Sequence, residues 1–193
     1  MKLSTRALNL KPSPTLAIAA KAKALKAEGQ DVISLSVGEP DWDTYAEISK
    51  VGIAAIESGK TKYAPAGGLP ELKSAIADLA QQELNLKFSP QEVTVSAGAK
   101  FILFSALQML LDPGDEVLIP IPYWVSYPTM VELAGGKPVL VSTSESKRFH
   151  LTREDLESQV SEKTKVLILN SPNNPSGETL SKDALKEIAA FLK

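Results

Sequence analysis

The residues best suited to chemistry lie at positions 167–177, with the sequence L-I-L-N-S-P-N-N-P-S-G. The apolar run at residues 166–169 is typical of a central strand in a parallel sheet, and it changes abruptly into Asn, Ser, Pro and Gly. Loops that follow such strands lie at the carboxyl edge, where open α/β sheets bind ligands. Asn173 and Asn174 carry amides that can donate and accept hydrogen bonds there. The segment predicts a rigid ligand-binding loop, with an ordinary Asn-Pro turn as the alternative.

A second candidate segment is V-T-V-S-A-G-A-K at residues 93–100. It predicts a short strand, a turn of small residues and an apolar helix over residues 101–111. The free N–H groups and positive dipole end of such a helix suit a phosphate, and Gly98 and Ala99 let an anion approach the backbone. Lys100 can offset the phosphate charge. The alternatives remain that the turn binds nothing and that the lysine is simply solvated.

Three further candidates lie in loops. The segment P-I-P-Y-W-V-S-Y at residues 120–127 follows a strand at 117–119, and its aromatic residues suit either a core or a platform for a planar ring. Gly38 ends a predicted strand at residues 31–37, in a turn that either admits a ligand or is ordinary. Tyr63 is the only aromatic residue of a Gly- and Pro-rich loop, where packing is its commoner role.

Composition excludes several classes of function. The chain has 193 residues, 44% of them hydrophobic, and a net charge of −2, which gives no electrostatic case for nucleic acid. No apolar run reaches the roughly 18 residues of a membrane span, and a secretory signal is not evident. The absence of cysteine fits a cytoplasmic protein, which we expect. The absence of cysteine and the single histidine, His150, argue against thiolate chemistry, a Ser-His-Asp triad and a metal site built from cysteines or several histidines. Difficult chemistry would then need a cofactor. We expect His150 on the surface or at a strand edge.

The elements that must position these loops alternate along the chain. The patterns predict helices over residues 16–28, 46–58, 70–84, 101–111 and 152–160 and from 180 onward, with Thr152 capping against Asp155. They predict strands at 31–37, from 93, at 117–119, 138–142 and 166–169, with 138–142 at an edge. The order from residue 93 onward predicts a doubly wound, mostly parallel α/β sheet with flanking helices.

Five landmarks occur in a fixed order: G-E-P-D at 38–41, K-Y-A-P at 62–65, S-A-G-A-K at 96–100, P-Y-W at 122–124 and N-S-P-N-N-P-S-G at 170–177. This set resembles class I, fold-type I aminotransferases, the pyridoxal-phosphate enzymes related to aspartate and aromatic aminotransferases. One departure is Tyr45, where most relatives have proline. The resemblance implies an N-terminal half: residues 1–45 from the small domain or dimer arm, and 46–193 as the incomplete N-terminal part of the cofactor-binding large domain.

The resemblance also implies roles for the candidate residues. Those implied to bind pyridoxal 5'-phosphate are Gly98, Ala99, Lys100, Trp124, Asn174 and the partner subunit's Tyr63 in a homodimer. Trp124 would stack on the ring, and Asn174 would donate to the phenolic oxygen. Those implied to contact substrate are Gly38, Lys100, Trp124 and Asn174. The family tends to have cis proline at Pro122 and Pro175. Its strand equivalent to residues 93–96 pairs with later strands, so we expect it to lack partners here.

The implied reaction is amino transfer between an amino acid, aspartate or a related acidic or aromatic one, and a 2-oxo acid such as 2-oxoglutarate. The family's Schiff-base lysine, pyridinium partner and α-carboxylate arginine are expected beyond Lys193. We therefore assign no catalytic residue in this chain and expect the chain to be inactive alone. A fold-type I carbon–sulfur lyase or amino-cyclopropane-forming synthase is an alternative. A non-catalytic α/β module that binds a phosphorylated ligand is another.

Overall fold

The computed structural model describes residues 2–8, 10, 14–38 and 40–192. The chain divides into a C-terminal unit, Ala99–Lys193 with Met1–Lys11, and an N-terminal unit, Pro12–Gly98. The helices are α1 (Thr5–Leu8), α2 (Pro14–Ala27), α3 (Ala46–Glu57), α4 (Pro70–Leu84), α5 (Ala99–Leu110), α6 (Ser126–Leu133), α7 (Arg153–Glu157) and α8 (Lys182–Phe191). The strands are β1 (Glu116–Pro120), β2 (Lys137–Val141) and β3 (Thr164–Leu167), and short 3-10 helices cover Pro90–Glu92 and Glu145–Lys147.

The three strands form one parallel sheet in the C-terminal unit, in the order β2-β1-β3. Glu116 of β1 pairs with Lys137 of β2 and with Thr164 of β3, and an irregularity follows Glu116 on the β3 side. The edge position predicted for residues 138–142 is confirmed by β2. The apolar run at 166–169 was predicted to be central, but in the described sheet β1 takes the middle place and β3 an edge. An apolar run indicates burial but does not specify which strand lies in the middle, and the side chains of β1 are the more completely buried.

Helices cover both faces of this sheet. Val117 and Ile119 point to one face and Leu118 to the other, as the two-residue period of a strand requires. The first core cluster contains Leu107, Leu111, Val117, Ile119, Tyr127, Met130 and Val131. The second contains Leu118, Val141, Leu151, Leu156 and Ile188. The predicted α/β layering is therefore confirmed from β1 onward.

Local signals explain where the helices begin and end. The predicted capping of α7 is confirmed, because Thr152 Oγ1 accepts from the Asp155 N–H and the Asp155 carboxylate accepts from the Thr152 N–H. The helix ends at Glu157, earlier than the predicted residue 160. Helix α4 has the predicted bounds, with a proline at its start and Asn85 in the left-handed conformation at its end. The helices predicted at 16–28, 46–58, 101–111 and beyond 180 are present within two residues at most ends.

A charged cluster holds the amino ends of the strands. The buried carboxylate of Glu116 accepts hydrogen bonds from Lys137 Nζ at 2.9 Å and from Ser161 Oγ at 2.7 Å. Both hydrogen bonds lower the pKa of Glu116 below its usual value, and the one from Ser161 has the larger effect. The cluster ties β1 to β2 and to the turn that precedes β3, at the end of the sheet opposite the loops of interest.

In the N-terminal unit, two predicted strands are not formed. Residues 31–37 have an irregular backbone, and Ile33 and Leu35 are 86% and 94% exposed. Residues 93–96 are also irregular; the Val95 N–H donates to Gly67 O at 3.0 Å, and the described residues offer no strand ladder there. A strand needs a neighbouring strand for its backbone groups, which its own side-chain pattern cannot supply. Within the described residues, no helix is long and apolar enough to cross a bilayer.

Candidate functional site

The loop after β1 presents an indole ring with a fixed neighbour. Trp124 is half-buried, and the Tyr127 ring meets it edge-on, with centroids 5.5 Å apart and planes at 89°. Tyr127 is itself buried at the start of α6, and this burial raises the pKa of its phenol. Edge-to-face pairs contribute about 0.5–1.5 kcal/mol beyond burial. The orientation of the Trp124 ring is therefore set by the core.

Lys100 lies at the same place. Its Nζ is 4.8 Å from the centroid of the Trp124 ring, which it reaches from the first turn of α5. An exposed cation over an aromatic ring contributes about 0.5–1 kcal/mol. Two residues chosen from the sequence, far apart along the chain, thus place a flat ring and a positive charge side by side.

The loop after β3 is folded back on itself and attached to the loop after β1. The Asn173 side-chain NH₂ donates to Pro122 O at 3.1 Å and to Ser176 Oγ at 2.9 Å. The Asn173 N–H donates to Glu178 O, and the Gly177 N–H donates to Asn173 O, both at 2.8 Å. The predicted ligand loop is thus a closed turn whose first residue anchors it to its neighbour.

Asn174 lies within this closed turn and is exposed. Among the described residues, no hydrogen bond involves its side chain, so its amide is available to a ligand. The peptide bonds Ile121-Pro122 and Asn174-Pro175 are cis, as the family resemblance implied, and Ser171-Pro172 is cis as well.

A cleft that is open to solvent lies beside these two loops. Its walls include Tyr123, Asn170, Asn173 and Glu178, and also the exposed His150. Lys100, Trp124 and Asn174 do not line it. The cleft and the Lys100–Trp124 pair are therefore neighbouring features that share a loop. The described residues contain no cluster of ligands able to hold a metal ion.

The remaining candidates belong to the N-terminal unit or to its boundary. Gly98 has a φ of +88°, and a Cβ added there would meet no atom within 4 Å, so backbone conformation and not crowding calls for glycine. Ala99 is the first residue of α5. Gly38 is exposed, and residue 39 of its turn lies outside the described residues. The Tyr63 side chain is fully exposed.

Sequence reasoning did not assign three of these contacts. The only local indication of the role of Asn173 was that Ser176, one of its hydrogen-bond partners, lies three residues later in the sequence. The contact of Tyr127 with Trp124 also had a local indication, since residues three apart at a helix start are neighbours. No local sequence pattern indicated the ion pair between Arg148 and Glu178, at 3.0 Å, because 30 residues separate the two side chains along the chain.

Comparison with known proteins gives a consistent result. Residues 30–193 match the family model described as aminotransferase class I and II. The chain is 50% identical over 189 residues to a probable aspartate/prephenate aminotransferase of Aquifex aeolicus, covering 98% of this chain and 48% of that protein. It is 47% identical to the aspartate aminotransferase of Bacillus subtilis, over 97% of this chain and 48% of that protein.

Solved structures agree. The aspartate aminotransferase from Thermus thermophilus with maleate superposes with a TM-score of 0.95 at 43% identity, over 99% of this chain and 50% of that one. The likeness confirms the predicted class of fold. The chain spans about half the length of the relatives it matches. Since the family model matches from residue 30 to residue 193 and the fold agrees, the chain belongs to the aminotransferase class I and II family.

Proposed function

We propose that this chain is the N-terminal half of an aminotransferase that moves an amino group between an amino acid and a 2-oxo acid. The amino acid is aspartate or a related acidic or aromatic one, and 2-oxoglutarate is a suitable acceptor. Support comes from relatives named aspartate and aspartate/prephenate aminotransferases. Residues 1–45 then belong to the small domain or dimer arm, and residues 46–193 to the large domain.

Members of this family use pyridoxal 5'-phosphate. The side chains at the sheet edge fit such a planar, anionic group, because they combine a fixed indole ring, an ammonium group and an available amide. The observation that carries the proposal is the Lys100 Nζ placed 4.8 Å from the Trp124 ring, next to a loop anchored by Asn173. Neither charge nor ring alone would select a phosphorylated aromatic cofactor over other ligands.

The proposed roles follow from the side-chain chemistry. Trp124 stacks on the cofactor ring, and Asn174 donates a hydrogen bond to its phenolic oxygen, which favours the ionised form of that oxygen. Gly98 and Ala99 offer backbone N–H groups to the phosphate, and Lys100 offers charge to the phosphate or to an acidic substrate. Gly38 borders the substrate carboxylate. When bound, the cofactor supplies an electron sink for the amino acid's α-carbon.

Two further parts of the proposal concern assembly. The full-length protein is a homodimer, in which the partner subunit's Tyr63 reaches the cofactor phosphate. No lysine among the residues of this chain is proposed to bind the cofactor covalently, and the 193-residue chain alone is proposed to be inactive. The fully exposed Tyr63 side chain is compatible with a contact made outside its own chain.

The test uses the full-length protein that carries this chain. Pyridoxal 5'-phosphate is added while absorbance is followed, and turnover is then measured with aspartate plus 2-oxoglutarate and, separately, with a thioether amino acid. We expect saturable cofactor binding and amino transfer. Cleavage of the thioether without amino transfer would instead indicate a carbon–sulfur lyase. Absence of cofactor binding would refute the proposal.

A further inference from the structure

An ion pair joins the loop after β2 to the loop after β3. The Arg148 Nε donates to Oε1 of Glu178 and its Nη2 donates to Oε2, both at 3.0 Å. Two parallel hydrogen bonds between a guanidinium group and a carboxylate fix orientation as well as distance. The pair therefore restrains the two loops relative to each other at the sheet edge that carries the site.

The backbone presents Arg148 in an unusual conformation. Arg148 and Phe149 have φ angles of +53° and +56°, which side-chain-bearing residues seldom adopt. Two hydrogen bonds hold them there: Arg148 N–H to Glu145 O at 2.8 Å, and Phe149 N–H to Ser144 O at 2.9 Å. The guanidinium group thus comes from a turn that the backbone itself holds in place.

On the other side, Glu178 closes the turn that contains Asn174. Its carbonyl oxygen accepts from the Asn173 N–H at 2.8 Å, and its own N–H donates to Ser176 Oγ at 3.3 Å. The Glu178 side chain is only 27% exposed, so its carboxylate is partly shielded from solvent. Whatever fixes Glu178 also fixes the far end of this turn.

We infer that Arg148 and Glu178 are a positioning pair that holds Asn174 ready to donate its hydrogen bond to the ligand of this site. Asn174 has no side-chain hydrogen bond among the described residues, so its location depends on the turn around it. The inference rests on the proposed function, because it takes pyridoxal 5'-phosphate as the ligand. Neither residue of the pair is proposed to contact that ligand.

The test compares Arg148→Met with the charge exchange Arg148→Glu/Glu178→Arg in the full-length protein. Arg153→Met is the matched control, because it removes an arginine from another surface ion pair, with Glu157, on α7. Hydrogen exchange of peptides covering residues 170–180 is measured without cofactor, and cofactor affinity is measured by titration. For Arg148→Met we expect faster exchange and about two- to fivefold weaker binding, the range an ion pair of this exposure supports. In the double variant Arg148→Glu/Glu178→Arg, the hydrogen-exchange rate and the cofactor affinity should both return toward those of the unmodified protein. Roughly 1 M salt should reduce the difference between Arg148→Met and the unmodified protein, because salt screens the ion pair.

The outcomes separate the two proposals. Unchanged exchange in Arg148→Met, or faster exchange with unaltered cofactor affinity, would overturn the positioning role while leaving the proposed function intact. The same losses in Arg153→Met would overturn it too, since they would not be specific to these loops. Failure of the unmodified protein to bind the cofactor would overturn the proposed function, and the positioning role with it.

Discussion

Replacing Asn173 with alanine removes the anchor between the two loops at the sheet edge. The change deletes the hydrogen bonds to Pro122 O, at 3.1 Å, and to Ser176 Oγ, at 2.9 Å. Each such bond contributes about 1 kcal/mol net, and a partly buried carbonyl left without its donor costs more than an exposed one. We expect the free energy of unfolding to fall by about 1–3 kcal/mol.

The neighbouring residue provides the control. Asn174 is exposed and has no side-chain hydrogen bond among the described residues, so Asn174→Ala should change the free energy of unfolding by less than about 0.5 kcal/mol. Its effect should fall on the cofactor, because a hydrogen bond to an ionised oxygen is worth about 1.5–3 kcal/mol, or tenfold and more in affinity. Two adjacent asparagines are therefore expected to have separable roles.

Urea unfolding measures the first effect and cofactor titration the second, both in the full-length protein. Equal losses of stability in the two variants would refute the anchoring role of Asn173. A cofactor affinity that survives Asn174→Ala unchanged would remove Asn174 from the site. A stable Asn173→Ala variant would show that the loop keeps its position by other contacts.

Three other predictions address the ring, the charged cluster and the core. Trp124→Ala should weaken cofactor binding by about fivefold in a titration, corresponding to a stacking contribution on the order of 1 kcal/mol. Trp124→Phe should keep most of the cofactor affinity, because it keeps an aromatic ring. Unchanged affinity in Trp124→Ala would contradict the stacking role. Glu116→Gln should lower the urea midpoint at pH 7. Because folding lowers the pKa of Glu116, its ionised carboxylate stabilises the folded state fully above the usual carboxyl pKa. This stabilisation is lost as the pH falls through the lower pKa of the folded state. The variant and the unmodified protein should therefore converge as the pH falls from the usual carboxyl pKa through the lower folded-state pKa of Glu116, and a constant difference would exclude this cause. Gly136→Ala should destabilise the fold by about 1–3 kcal/mol, because its Cβ would lie 2.8 Å from the Leu111 side chain. Gly135→Ala, which meets no atom within 4 Å, should cost only the strain of its positive φ, about 1 kcal/mol, and a larger loss in it than in Gly136→Ala would refute the packing argument.

The parts of the fold that the sequence predicted well are those whose causes lie within a few residues. Helix α4 has its start marked by Pro70 and its end by Asn85, and Thr152 meets its capping partner three residues away. The three apolar residues of β1 are bounded by turns, and such a short apolar run is enough to predict a buried strand. Local chemistry was sufficient in each case.

The predictions that failed depend on residues far apart in the sequence. Residues 31–37 alternate as a strand should, yet pairing depends on a neighbour that the segment does not encode. The candidate site shows the same limit: residue types and order marked Lys100, Trp124 and Asn174 as candidates, but they did not predict the hydrogen bond from Asn173 to Pro122, 51 residues away. Contacts between distant loops depend on the packed sheet, and only the structure supplies that.

The alternation along β1 has a consequence for how the C-terminal unit responds to heat or denaturant. Val117 and Ile119 contribute to one core cluster, and Leu118, between them on the same backbone, contributes to the other. Neither helical layer can therefore detach while the other keeps its packing, because loss of either would expose one face of a strand buried on both. The two layers are expected to melt together in a single cooperative transition, with the amide protons of β1 exchanging last.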